Sequence, residues 1–158
     1  MGLERVAFLM QGVDNIYEID QVKPLIEHSE KLSGIEYGQS EQNDVRMRVI
    51  ADHVRSSLML MSDGVTPANE GRGYILRRLL RRVVRSLRLL GVEKPAMAEL
   101  FETSKTAMVD AYPELADIFE RVQKLAANEE SSCLKTLFSV EQLLSNELTS
   151  LEAVVLGA

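Results

Sequence analysis

NEGRGYILRRLLRRVVRSLRLLG, Asn69 to Gly91, is the stretch on which the reading of this chain turns. It holds seven arginines and no lysine, inside a protein of net charge -6. Wound as a helix from Tyr74 at about 100° per residue, Arg77, Arg78, Arg81, Arg82, Arg85 and Arg88 fall within roughly 140°, with Tyr74 near the centre. Ile75, Leu76, Leu79, Leu80, Val83, Val84, Leu87 and Leu90 fill the rest of the wheel. One face can bury while the other presents a comb of guanidinium groups. Each guanidinium can donate two parallel hydrogen bonds, which suits phosphate oxygens and points to a nucleic-acid partner. The plain alternative is a solvated amphipathic face paired with neighbouring acids. On either reading, two or three of the six helix arginines are expected to make salt bridges within the protein.

The charge is unevenly spread. From Asp44 to Gly91 ten arginines face four acids, which leaves eight basic and twenty acidic residues for the remainder. A basic centre between acidic flanks predicts one localised anion-binding face rather than a basic coat. With 158 residues, 46% of them hydrophobic and 27% charged, the chain can build one real core and is not disordered. No apolar run matches a membrane span, and the glutamate-bearing start MGLERVAFLMQG is no secretory signal. Met1-Gly2 lacks the following Ser or Thr of a myristoylation start. The lone Cys133 excludes an internal disulfide and a cysteine-based metal cluster, and fits a reducing, cytoplasmic compartment. His28 and His53 have no metal-ligand spacing, so no metal site is expected, and a hydrolytic triad is disfavoured.

Helical periodicity runs through the chain and strand patterns are few, so the fold expected is an all-α, irregular bundle of about five to seven helices. Met1–Gln11 reads as an uncapped helix, Gln21–Leu32 as a short one, and Ser33–Asn43 as a polar loop. Asp44 is read as the cap of a long helix, Val45–Met61, stopped by Asp63-Gly64. Asn69 is a plausible cap for the arginine helix. Gly71 and Gly73 in its first turn cost helix propensity, which predicts a close backbone approach there. Pro95 and Pro113 each read as the opening of a helix. The pattern Leu115, Ile118, Phe119, Val122, Leu125, Leu134, Leu137, Val140, Leu144, Leu148, Leu151 fits one helix or two, with a break at Asn128. The Glu129-Glu130 pair reads as a solvated face. Asp52 and His53 are adjacent on a helix and do not face one another, so a structural role is expected of them. Arg46, Arg48 and Arg55 either extend the basic surface or pair with Asp44 and Asp52. Tyr74 either stacks on a ribose or base or packs between arginine stems.

Three strings carry a resemblance: MGLERVAFLMQGVDN (Met1–Asn15), RVIADHVRSSLMLMSDGV (Arg48–Val65) and TPANEGRGYILRRLLRRVVR (Thr66–Arg85). They resemble alanyl-tRNA synthetases, class II aminoacyl-tRNA synthetases, with a match running from Gly2–Arg5 to at least Glu129-Glu130. The resemblance implies the end of the catalytic domain (residues 1–12), a connecting segment (13–43) and most of the helical tRNA-recognition domain (44–158, cut short at its C-terminus). Both ends read as cuts from a longer protein.

By the same resemblance Gly2–Arg5 is the tail of class II motif 3, and Arg5 is its ATP contact. Motifs 1 and 2 are not in the sequence, so this piece alone is expected to be inactive. Asn69 is implied to read the G·U wobble pair of the alanine tRNA acceptor stem, and a short amide can both donate and accept at a base edge in RNA's shallow minor groove. Asn69, Arg72, Tyr74, Arg77, Arg78, Arg81, Arg82 and Arg85 are the tRNA-binding residues expected. ATP and Mg belong to the full-length enzyme, whose zinc site lies outside this chain. The partners implied are the alanine tRNA acceptor stem and the rest of the synthetase, with no membrane and no DNA. The rival functions are a helical DNA-binding regulator and a protein-interaction bundle using the same basic helix.

Overall fold

The computed structural model describes residues 2–155, with side chains described as far as residue 149. Met1, the Leu151 side chain and the end at Leu156-Gly157-Ala158 lie outside that range. Among the described residues the fold is all-α: α1 (Leu3–Gln11), a single 3₁₀ turn (Ile16–Glu18), α2 (Lys23–Ser33), α3 (Glu41–Ser62), α4 (Gly71–Leu89), α5 (Met97–Met108) and α6 (Glu114–Val155).

The central element is α3, which touches α2, α4, α5 and α6. Its inward residues Met47, Ile50, Ala51, Val54, Leu58 and Met61 recur at helical spacing and are buried. α4 lies antiparallel beside it: Arg46, early in α3, donates to the Leu89 carbonyl at the end of α4 over 3.3 Å. Leu76, Leu80, Val83, Val84 and Leu87 turn inward from α4. Leu100 and Phe101 of α5, with Leu115, Phe119, Val122 and Ala126 of α6, close the core. α1 has no buried residue and is held to α3 by the Arg55–Glu4 ion pair at 2.7 Å.

Helix ends depart from the expected ones because polar groups elsewhere in the fold satisfy them. α3 starts at Glu41 behind Ser40, and Asp44 is not its cap. The Asp44 carboxylate is buried and turns back to accept the Gly38 amide at 2.8 Å. α4 is preceded by Glu70 rather than Asn69, with no side-chain cap. α5 starts at Met97, beyond Pro95, because its first amides meet a carboxylate from α6: Glu130 Oε1 accepts from Ala96 N at 2.9 Å, and its Oε2 accepts from Met97 N at 3.2 Å.

Of the two readings of the last pattern, one helix or two, the first holds: α6 runs unbroken through Asn128. No Gly or Pro occurs between Glu114 and Val155, and Asn128 simply faces solvent. The solvated Glu129-Glu130 pair is corrected: both are buried, at 7% and 4% exposure. Buried carboxylates require partners, and each of these has them.

Gly73 shows why the first turn of α4 is glycine-rich. The Val65–Ala68 segment folds over it, and the Ala68 amide donates to the Gly73 carbonyl at 3.1 Å. A Cβ at Gly73 would lie 2.5 Å from the Thr66 carbonyl oxygen and 2.6 Å from Ala68 Cβ. Gly71, at φ +58, makes the left-handed turn into the helix.

Two measurable consequences follow from these contacts. Gly73→Ala should destabilise the fold by about 1–3 kcal/mol, because the new methyl group meets backbone as well as side chain. Urea unfolding checks this, and a change within about 0.5 kcal/mol, the range of an ordinary surface substitution, contradicts it. Burial pushes the Glu130 carboxyl above its ordinary 4.5, outweighing the two amide hydrogen bonds that pull it down. The stability that this group contributes is therefore complete below pH 4.5 and is lost as pH rises through the folded-state value. Glu130→Gln keeps an acceptor and removes the charge, so it should unfold at equal or higher urea than the unsubstituted protein at pH 7. Its gain in stability between pH 7 and pH 5 should be smaller, and an unchanged pH dependence contradicts the assignment.

Candidate nucleic-acid interface

The outward face of α4 is basic as expected, but it is divided. On the side facing α6, Arg81 Nε meets Glu129 Oε1 at 2.8 Å, and Arg77 Nε meets Glu129 Oε2 at 3.3 Å. Two of the six arginines are therefore engaged by one buried carboxylate. A buried anion needs such partners, and a doubly bridging carboxylate also fixes the guanidinium planes. Arg77 continues outward, and its Nη1 donates to Asn69 Oδ1. Asn69 is thus an exposed residue just outside the helix whose side chain is held by α4 rather than capping it.

On the other side Arg78, Arg82 and Arg85 are exposed and make no ion pair among the described residues. Arg82 and Arg85 line a groove of about 820 Å³ between α3 and α4, with Arg46, Val45 and Val49 on the opposite wall. Arg46 is steadied there by Asn43 Oδ1 at 2.7 Å and by the Leu89 carbonyl. Arg72 is exposed at the start of α4, over the Val65–Ala68 loop. Tyr74 is 48% exposed, on the same face as the unpaired arginines. Arg88 reaches only the Glu93 carbonyl, at 3.4 Å. The surface offers four arginines, a tyrosine and one oriented amide along a single helix.

The remaining arginines take positions that neither expectation described. Arg48 is half-buried, donating to the Tyr37 hydroxyl at 2.6 Å and lying over the Tyr17 and Tyr37 rings at 5.4 and 5.3 Å. That phenolic hydrogen bond raises its already high pKa. Arg55 pairs with Glu4, not Asp52. Asp52 and His53, expected not to meet, do so at 2.9 Å through Oδ2 and Nδ1. The contact lowers the Asp52 pKa, chiefly through that hydrogen bond. Cys133 is buried, and desolvation raises its thiol pKa, which removes thiolate reactivity.

Arg5 is exposed, in a hollow of about 650 Å³ with Glu4, Asp52 and Arg55. Arg55 is already paired with Glu4. With that pair set aside, one guanidinium, Arg5, faces one carboxylate, Asp52, which leaves no net positive charge for a triphosphate among the described residues. No three His, Cys, Asp or Glu side chains converge as metal ligands among those residues. No described helix is long and apolar enough to cross a membrane.

Glu129 is the residue that sequence reasoning missed. Its signal was present: with Val122, Ala126 and Cys133 it lies on the i, i+3/i+4/i+7 stripe that α6 buries. A charged pair on an apolar stripe, in a chain with surplus arginine on another helix, predicts a buried bridge.

A sequence model of the family described as tRNA synthetases class II (A) matches residues 1–156. The Alanine–tRNA ligase of Clavibacter michiganensis is 62% identical over 137 residues, 87% of this chain and 16% of that protein. The Alanine–tRNA ligase of Nocardia farcinica is 54% identical over 153 residues, 97% of this chain and 17% of its own length. That of Bifidobacterium longum is 60% identical over 136 residues, 86% of this chain and 15% of its length. The chain thus spans about one sixth of the length of the relatives that it matches. By sequence, this chain belongs to the class II tRNA synthetase family.

Proposed function

We propose that this chain is the part of an alanine–tRNA ligase that holds the acceptor stem of alanine tRNA. The observation that carries this reading is the row of unpaired Arg78, Arg82 and Arg85 on one helix, running toward Asn69. The arginines meet phosphates, which look alike in every sequence, and supply affinity. Asn69 sits where the helix begins and meets a base edge, which is where sequence is read. RNA's wide, shallow minor groove lets a short amide reach that edge, whereas its deep major groove admits no helix. Aminoacylation belongs to the full-length cytoplasmic enzyme, for which the family implies ATP and magnesium. This portion contributes position: it holds the stem so that the terminal adenosine reaches the catalytic domain.

Nothing in the geometry favours a DNA-binding regulator. The link between α3 and α4 runs from Asp63 to Glu70, longer than the three or four residues of a helix-turn-helix.

Anisotropy titrations test the proposal with three hairpins: the alanine acceptor stem, an unrelated RNA stem and DNA of the first sequence. The RNA hairpins should bind with strong salt dependence, and the DNA should bind more weakly. Charge reversal of Arg78, Arg82 and Arg85 together should lower affinity at least tenfold and reduce the slope of log K against log salt by about 2, at about 0.7–0.9 per phosphate contact. All three are exposed and unpaired, so the fold should survive. Unchanged RNA affinity in the triple variant, or equal binding to DNA, overturns the proposal.

A further inference from the structure

We propose that Glu129 is a positioning residue for sequence reading: acting through Arg77, it fixes which end of the Asn69 amide is presented to RNA. The inference rests on the reading of Asn69 given above and extends it to a residue on another helix.

The three links of the relay are explicit. Glu129 is buried on α6, and its Oε2 holds Arg77 at Nε, 3.3 Å away. Arg77 then offers Nη1 to Asn69 Oδ1. Arg81 Nε, 2.8 Å from Oε1, completes the carboxylate's charge pairing. A guanidinium is planar and only donates, so the amide atom facing it must be oxygen. Asn69 therefore keeps its oxygen turned inward and presents its NH₂ group outward.

This orientation has a chemical consequence. An asparagine with both ends available can accept from one base edge and donate to another. One whose oxygen already accepts from Arg77 has a single lone pair left there and turns its NH₂ group outward, so donation is what it presents to a base edge. In the minor groove that outward NH₂ group can meet pyrimidine O2, purine N3 or a ribose 2′-hydroxyl. The partner chemistry it selects is an uncovered minor-groove acceptor. Arg77 could not enforce this alone, because its long stem has many rotamers. The grip of Glu129 on Nε leaves the Nη edge aimed at Asn69. The same carboxylate offsets the charge that Arg77 and Arg81 offer to phosphates, so the relay gives up affinity for orientation.

The relay and the reading can be tested separately. In the ¹⁵N-labelled chain, the side-chain NH₂ signal of Asn69 is identified by its loss in Asn69→Ala. Glu129→Gln and the surface substitution Arg77→Lys should each move that signal toward the position of a solvated asparagine. An Asn69 signal unmoved in folded Glu129→Gln overturns the proposal. Should that variant fail to fold, an unmoved signal in Arg77→Lys overturns it equally. In parallel, binding is measured to two acceptor-stem hairpins that differ only in a G·U or G·C pair. Glu129→Gln should bind both hairpins more tightly, with a steeper salt dependence, while the ratio between them falls to that of Asn69→Ala. A merely structural role would weaken both hairpins together and leave the ratio intact, which also overturns the proposal. If the signal moves as expected but the unsubstituted chain does not distinguish the hairpins, the relay stands and the reading of Asn69 fails.

Discussion

The structure depends on one buried carboxylate meeting two arginines. α4 carries six guanidinium groups on its outward arc, and a helix so charged has no apolar way to approach a neighbour along that edge. Glu129 solves this by placing an anion where Arg77 and Arg81 converge, at 8% side-chain exposure. Desolvating an ion costs several kcal/mol, and a cation on each carboxylate oxygen offsets that cost rather than exceeding it. The bridge is therefore better understood as fixing register than as adding stability. It sets the rotation of α4 against α6, and so decides which arginines face solvent.

Its neighbour does comparable work in the other direction. Glu130, one residue on, points into the start of α5 and takes two of its amides. Consecutive residues on a helix diverge by about 100°, so one turn of α6 can serve two partner helices. Lys105 over the Phe119 ring, at 4.2 Å, adds a further tie between α5 and α6. The two glutamates make that turn of α6 the joint at which three helices are indexed to one another.

What could be read beforehand follows the range of the forces involved. α4 was legible almost to its last residue, because its apolar stripe, its glycine-rich start and Gly91 are all local signals. The all-α class was legible for the same reason. Helix starts were not. Asp44 and Asn69 have the chemistry of caps, yet their side chains serve Gly38 and Arg77. α5 takes its cap from a residue more than thirty positions away. The candidate site divides in the same way. Composition and spacing revealed a basic face, but whether a given arginine meets solvent or protein depends on a partner helix whose approach no local pattern specifies. Glu129 and Glu130 looked like ordinary surface charge until their place on a buried stripe was counted.

α6 has a mechanical implication. Its 42 residues, at about 1.5 Å each, make a rod of about 63 Å. The buried residues lie in its first half, and Phe138, Val140, Leu143, Leu144 and Leu148 beyond them stand more than half exposed. A rod clamped near its middle, with no buried side chain beyond Cys133 among the described residues, has the form of a lever. Whatever bears sideways on the long arm turns it about the Glu129–Glu130 joint. The first things to shift are the two arginines and the asparagine beyond them, so load on a distant part of the helix reaches the start of α4 as a change in angle.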